Sequence, residues 1–251
     1  MLDFLDMVSR FSIDRSRVRV IDMLKKLFSA FGKNSGSSGA VETTGLHAPY
    51  AEPHVNLLYN LLFCDDLDLF KSRTNEPDDG LWPVLLAAQA DSAALLEIAN
   101  NISNEGRVRA LAFNRLRARG EVLPAKNLLG VIVEVRFAQG LDVLAAFNEG
   151  GVRYLNQSGK VAVFEGDAHP VAHLAKGLIS AAQPVIEKIG PWEEQRLPPP
   201  RVGNVRLTFL VSDGLYFGEG PFLALQEDNT AGPILALAAQ LLQRVTERIP
   251  Q

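Results

Sequence analysis

Apolar and polar side chains alternate most regularly between residues 128 and 165, LLGVIVEVRFAQGLDVLAAFNEGGVRYLNQSGKVAVFE. Leu129, Val131, Val133, Val135 and Phe137 fall on one side of an extended chain, and Glu134 and Arg136 on the other. This is the period of two of a half-buried strand. After Gln139-Gly140 the pattern resumes with Leu141, Val143, Ala145 and Phe147 inward and Asp142 and Asn148 outward, until Asn148-Glu149-Gly150-Gly151 breaks it with residues suited to a hairpin turn. Val152, Tyr154 and Asn156 then alternate with Arg153 and Leu155, and Ser158-Gly159 turns the chain into a fourth strand over 160–165. The expectation is an antiparallel meander with one face buried and the other at least partly wet.

Upstream the period changes to that of helices. Val55, Leu58, Tyr59, Leu62 and Phe63 share one helical face, which ends at the acidic residues Asp65, Asp66 and Asp68. Further helices are expected over 79–90, with Pro83 in the first turn, over 91–100, capped by Asp91 or Ser92, and over 104–119, capped by Asn104 and stopped by Gly120. Downstream of the meander, Asp167 and Pro170 open a helix whose stripe is Val171, Leu174, Ala175, Leu178, Ala182, Val185, Ile186 and Ile189, with Pro184 expected to kink or split it. Residues 190–203, with three consecutive prolines, favour an extended polyproline path. Val205, Leu207, Phe209 and Val211 alternate again, Ser212-Asp213-Gly214 turns, and a strand returns over 215–218. A final helix follows Asn229-Thr230 and carries Ile234, Leu237, Ala238, Leu241, Leu242, Val245 and Ile249 on one side.

The order ββββ-α-ββ-α predicts an α+β fold with an antiparallel sheet of about six strands, covered by helices and preceded by a small helical region. Three parts follow: a leader and flexible linker over 1–45, the helical region over 46–124, and the sheet-and-helix domain over 125–251. Residues 33–45, KNSGSSGAVETTG, supply the linker. Met23 begins MLKKLFSAFG, in which Leu24, Leu27, Phe28 and Phe31 oppose lysines. One reading of 23–32 is a weak peripheral membrane contact. The other is a frayed leader or a helix docked on the protein itself, and Met23 also competes with Met1 as the natural start.

Composition narrows the function. Of 251 residues 47% are hydrophobic, enough for a packed core, and the net charge of -4 gives nucleic acid no general attraction. One cysteine, Cys64, permits no intrachain disulfide, which suits a reducing cytoplasm. The first thirty residues contain Asp3, Asp6, Asp14 and Asp22, which interrupt any signal-peptide core. The expected location is cytoplasmic, or peripheral to the inner membrane if 23–32 acts as an anchor.

The stretches LLGVIVEV, GLDVLAAF and YLNQSGK resemble segments of an uncharacterised bacterial protein family with no assigned function, a likeness covering 105–251. In topology alone, the order of elements resembles longin, roadblock and profilin-like folds. The resemblance supplies no catalytic residue.

Most candidate chemistry dissolves on inspection. His169 and His173 stand four apart but lack a third ligand, and helical spacing points both away from the core. Ser158-Gly159-Lys160 lacks the remaining residues of a phosphate loop. Cys64 lies among Leu61, Leu62 and Phe63, as a buried inert thiol does. Asp65, Asp66 and Asp68 read as an acidic helix end, and Arg107, Arg109, Arg115, Arg117 and Arg119 as a solvated helix surface. No metal and no cofactor are expected.

What stands out is Trp192 and the run Tyr216-Phe217-Gly218-Glu219-Gly220-Pro221-Phe222, where glycines leave room around Glu219 and aromatics offer area. Tyr154, Trp192, Tyr216 and Glu219 are the candidate partner- or ligand-binding residues. The favoured function is a noncatalytic module that binds a protein, or a second copy of itself, through a sheet edge or this aromatic corner. The alternative is a small-metabolite enzyme or ligand-binding domain, with Glu219 or Glu165 as acid/base in a pocket lined by Tyr154 and Trp192.

Overall fold

A computed structural model describes residues 46–75, 80–123 and 126–248. The leader, the linker and the 23–32 segment lie outside the described residues. Helices α1 (Pro53–Leu61), α2 (Leu81–Leu86), α3 (Ser92–Asn100) and α4 (Gly106–Ala118) come first, with a 3₁₀ segment, Leu67–Asn75, between α1 and α2. Strands β1 (Leu128–Arg136), β2 (Leu141–Phe147), β3 (Val152–Leu155) and β4 (Val161–Phe164) form the meander. Then come α5 (Ala172–Ile186), β5 (Asn204–Val211), β6 (Gly214–Pro221), α6 (Phe222–Glu227) and α7 (Ala231–Thr246). All pairings are antiparallel, in the order β4-β3-β2-β1-β5-β6. The fold is α+β, with an open six-stranded sheet and an N-terminal helical region. No helix among the described residues is long and apolar enough to cross a membrane.

Both faces of the sheet are covered, so the expectation of a partly wet face is overturned. One core contains Val131, Val133, Leu144, Ala146, Val205, Leu207 and Phe209 with Ala175, Leu178 and Ala182 of α5 and Ile234, Ala238 and Leu241 of α7. The other contains Ile132, Leu141, Val143, Ala145, Phe147 and Leu210 beneath Val55, Tyr59, Leu95, Leu111 and Phe113 of the helical layer. Consequently the inward sets expected for β1 and β2 face opposite ways. Val133 pairs with Leu144, and Glu134 with Val143, so residues 131 and 133 meet α5 and α7, whereas 141, 143, 145 and 147 meet the helical layer. A bulge between Leu128 and Gly130 also moves Leu129 to the helical-layer side.

The local chemistry accounts for most element ends. Pro53 occupies the first turn of α1, Cys64 beyond its end takes a φ of 53°, and the Asp91 carboxylate accepts from Ala94 N at 3.1 Å to start α3. Helix α4 begins two residues later than expected. Its opening amide, Gly106 N, donates to Glu149 Oε2 at 2.9 Å from the β2–β3 turn, while Asn104 Nδ2 donates to Ile98 O at 3.0 Å. Helix α2 is shorter than the expected 79–90. Helix α5 starts at Ala172, beyond His169, so the two histidines are not one turn apart on a helix. His169 instead packs against the Phe164 ring at 5.4 Å, and His173 is exposed. Pro184 falls in the last turn of α5, where the missing donor does not split the helix.

The arginines of α4 are buried or half-buried rather than a solvated surface, and only Arg119, just past its end, is exposed. Arg109 Nε donates to Ala99 O at 2.8 Å near the end of α3, Arg117 Nη1 to Ser212 O at 3.1 Å, Arg115 to Leu85 O and Arg119 to Ala90 O. They close carbonyl groups that ending helices and turns leave without intrahelical donors.

Candidate functional site

The register aligns three charged side chains across neighbouring strands on the helical-layer face. Glu134 of β1 stands beside Arg206 of β5, and Arg206 beside Glu219 of β6. Arg206 grips Glu219 Oε2 through Nη2 at 2.6 Å and Nε at 3.0 Å, and Asn204 Nδ2 donates to Glu219 Oε1 at 3.0 Å. Glu134 is fully buried and receives one hydrogen bond, from Tyr59 Oη at 2.7 Å, while Arg206 Nη1 stays 3.9 Å from its other oxygen. Burial raises the Glu134 carboxyl above its ordinary range, outweighing the Tyr59 hydrogen bond and the attraction of Arg206. Burial acts on Glu219 as well, but the hydrogen bonds from Asn204 and Arg206 prevail and hold it below its usual value.

Above this row lies the extended segment 190–203. Its Arg196 donates to Asp65 Oδ2 and to Asn60 Oδ1, both at 2.7 Å, and its guanidinium sits 4.0 Å from the Phe63 ring centroid. Three atoms of this seam, Glu134 Oε2, Arg196 Nη1 and Asp65 Oδ1, are buried with no hydrogen-bond partner among the described residues. Asp65 is therefore an ion-pair partner of a distant arginine. The other acids of the expected run also stay local, with Asp66 accepting from Asp68 N and Asp68 pairing with Lys71. The Cys64 thiol is buried, and burial pushes its ionisation upward, as an inert thiol requires.

The four expected site residues do not form one site. Trp192 and Glu219 meet the same corner: Trp192 packs edge-on against Phe217 at 5.0 Å, and the Arg206 guanidinium lies 5.7 Å from that same Phe217 ring. Tyr216 faces the other side, fully buried, donating to Asp213 Oδ2 at 2.8 Å beneath Lys126 Nζ. Tyr154 belongs to β3, four inter-strand spacings of about 4.8 Å from β6 and on the α5–α7 face. A pocket lined jointly by Tyr154 and Trp192 is therefore excluded by register. Glu165, the other expected acid, is exposed beyond β4 and lies 3.5 Å from Arg153 Nη2. Arg153 itself is buried beside Glu105 and Arg107; burial and the Arg107 charge bring it down to about 10.

Sequence reasoning passed over Glu134, Arg206, Arg196 and Asp142. For three of them the available signal was a charge within a mostly apolar strand: Glu134, with Arg136 at the end of LLGVIVEVR, Asp in LDVLAAF and Arg in NVRLTFLV. Such a charge needs a partner when both faces are buried.

The corner ends at a sheet edge. Trp192 N donates to Leu215 O at 2.7 Å, so the 190–203 segment pairs with the outer backbone of β6 at that residue, while its Trp192 ring packs on Phe217 and the Arg201 backbone hydrogen-bonds the Glu219 carboxylate. By the alternation of an antiparallel ladder, Phe217 and Glu219 point their backbone groups the same way as Leu215. Neither has a backbone partner on that side among the described residues. Val202 and Leu223 are exposed next to this corner, where Phe222 N donates to Gly203 O at 3.1 Å. Comparison of the chain with protein-family models and with curated proteins returns no match.

Proposed function

We propose that the chain is a noncatalytic binding module that associates with a second copy of itself by strand addition at β6. The observation that carries this reading is the outer backbone of β6 at Phe217 and Glu219, which has no backbone partner among the described residues. Edge strands are ordinarily guarded by a lysine, a proline or an inward-pointing charge. Here the inward charge, Glu219, is neutralised by Arg206, and Pro221 stands only at the strand's end. Antiparallel pairing about a twofold axis at Gly218 sets Phe217 opposite Glu219 of the second copy, so each pair exchanges both backbone hydrogen bonds. Exposed Gly218 at the axis permits close approach, and exposed Val202 and Leu223 add apolar area nearby.

The test is mass in solution across a dilution series, by light scattering or sedimentation. The wild-type chain is expected to dimerise reversibly. Gly218→Lys is expected to be monomeric with an unchanged melting temperature, because no atom lies within 4 Å of the position of its Cβ and two lysines would oppose each other at the axis. A wild-type chain that stays monomeric when concentrated, or a Gly218→Lys variant that dimerises equally, overturns the proposal.

A further inference from the structure

The proposed dimer and the 190–203 segment compete for one place beside β6. A twofold axis at Gly218 that sets Phe217 opposite Glu219 of the second copy also sets Leu215 opposite Pro221 of that copy, since both pairs are centred on the same residue. The place beside Leu215 is already filled. Trp192 pairs with it as an antiparallel bridge, and its N–H donates to Leu215 O at 2.7 Å. The Trp192 ring packs on Phe217, with the centroids 5.0 Å apart. While Trp192 stays there, the intermolecular ladder stops short of Leu215 at both ends of the dimer, and Pro221 and the start of α6 of the second copy run into the segment.

Two side chains hold this stretch down. Trp192 anchors one end, and its Nε1 donates to Gln195 O at 3.0 Å. Arg196 anchors the other. Its side chain is 9% exposed, donates to Asp65 Oδ2 and Asn60 Oδ1 at 2.7 Å each, and lies 4.0 Å from the Phe63 ring centroid. Glu193, Glu194 and Gln195, between the anchors, are exposed. Two backbone carbonyls complete the hold: Arg196 O faces His47 Nε2 at 3.1 Å, and Leu197 O accepts from Arg206 Nη1 at 3.2 Å. Downstream, Pro198, Pro199 and Pro200 have no N–H to donate, and Pro200 is buried, which fixes that end. Upstream, Gly190 is exposed with no atom within 4 Å of its Cβ position. A stretch held at two points, with exposed residues between them, opens locally at a cost below that of global unfolding.

We propose, on the strand-addition reading above, that residues 191–197 are an autoinhibitory strap: Arg196, seated against Asn60 and Asp65, keeps Trp192 in the ladder position that the second copy needs. Unseating Arg196 frees the outer backbone of β6 from Leu215 to Glu219. The strap lowers the apparent affinity by the fraction of chains in which it is open. Because the twofold requires both copies to open, that fraction enters twice.

Two readouts separate the strap from the dimer. Hydrogen exchange at the Trp192 amide, measured with each substitution placed in the Gly218→Lys chain, reports the strap alone. Sedimentation of the same substitutions with Gly218 retained reports association. Arg196→Ala is expected to speed the exchange by about tenfold, the factor of one lost charge-assisted hydrogen bond, and to tighten the dimer by about the square of that factor. Trp192→Ala removes a half-buried ring and leaves Arg196 seated; it is expected to act in the same direction, and it decides if Arg196→Ala fails to fold. Faster exchange with an unchanged or weaker dimer overturns the autoinhibition and leaves strand addition at β6 standing. Exchange unchanged in both variants overturns the strap as the element that Arg196 and Trp192 hold. If the wild-type chain and both variants all stay monomeric when concentrated, strand addition falls and the strap with it.

Discussion

Two glutamates flank one arginine, and the fold treats them oppositely. Glu219 accepts two hydrogen bonds from Arg206 on one oxygen, Oε2; Glu134, at 3.9 Å from the same guanidinium, has Tyr59. Glu219 is held below its ordinary range by the hydrogen bonds that outweigh its burial. Its contribution to stability is therefore present above the unfolded value of about 4.3 and lost as pH falls through the folded one. Glu134 is raised by burial, so the folded chain holds its proton more tightly than the unfolded chain does. Its contribution is full below about 4.3 and lost as pH rises through its folded value. Urea unfolding over a pH series separates the two. Glu219→Gln is expected to cost about 1–2 kcal/mol at neutral pH, the value of a charge-assisted hydrogen bond at a partly exposed site, and less in acid. Glu134→Gln is expected to gain stability relative to wild type as pH increases, because the amide has no proton to lose. Parallel pH curves for either variant and wild type would sink the assignment. Glu219 was visible in the sequence as a carboxylate between glycines. Its partner was not, because pairing Arg206 with Glu219 depends on the β5–β6 register, fixed only once both strands are laid down.

At the scale of elements, boundaries were legible where the determinant is local and illegible where it is supplied from elsewhere. Asp91 caps α3 with its own side chain, and Gly120, with a φ of 75°, follows the end of α4. The start of α4 depends instead on Glu149, 43 positions downstream of Gly106, which no local pattern announces. The same junction sets how closely α4 approaches the sheet: a Cβ at position 106 would meet the Leu129 carbonyl oxygen at 2.6 Å and Glu149 Oε2 at 3.0 Å. Gly106→Ala is therefore expected to destabilise by about 1–3 kcal/mol, since the obstructing atom is backbone and the helix must shift. Gly177 provides the opposite case. It lies inside α5 with no atom within 4 Å of its Cβ position, so Gly177→Ala is expected to stabilise by about 0.5–1 kcal/mol through helix propensity. Thermal melts of the two variants check this. A Gly106→Ala chain as stable as wild type would show that the contact between α4 and β1 is looser than the structure has it.

For the whole molecule, the decisive feature is that a period of two identifies a strand without saying which face is inward. In β2 all seven residues, Leu141–Phe147, are buried, so the alternation there separates two cores rather than core from solvent. Glu134 reinforced the wrong reading, because a charge in an alternating strand ordinarily marks water, whereas here it marks the polar seam under α1. Element order was legible apart from the 3₁₀ segment Leu67–Asn75 and the short helix α6, since turns and periodicity are local. The second covering layer was not, since it depends on where α1–α4 return. That layer shares one core with Leu129, Ile132, Leu141, Val143, Phe147 and Leu210 of the sheet, all essentially inaccessible to solvent. Removing it would open an apolar face far beyond what a stable monomer ordinarily shows, and would strip Glu134 of its Tyr59 donor. A fragment of residues 125–251 is therefore expected to lack a cooperative melting transition and to bind a hydrophobic dye, whereas 46–251 melts in a single transition with little dye binding. A fragment with a sharp transition and native-like near-ultraviolet dichroism would instead make the helical layer a separate folding unit, with the sheet stable on the α5–α7 core alone.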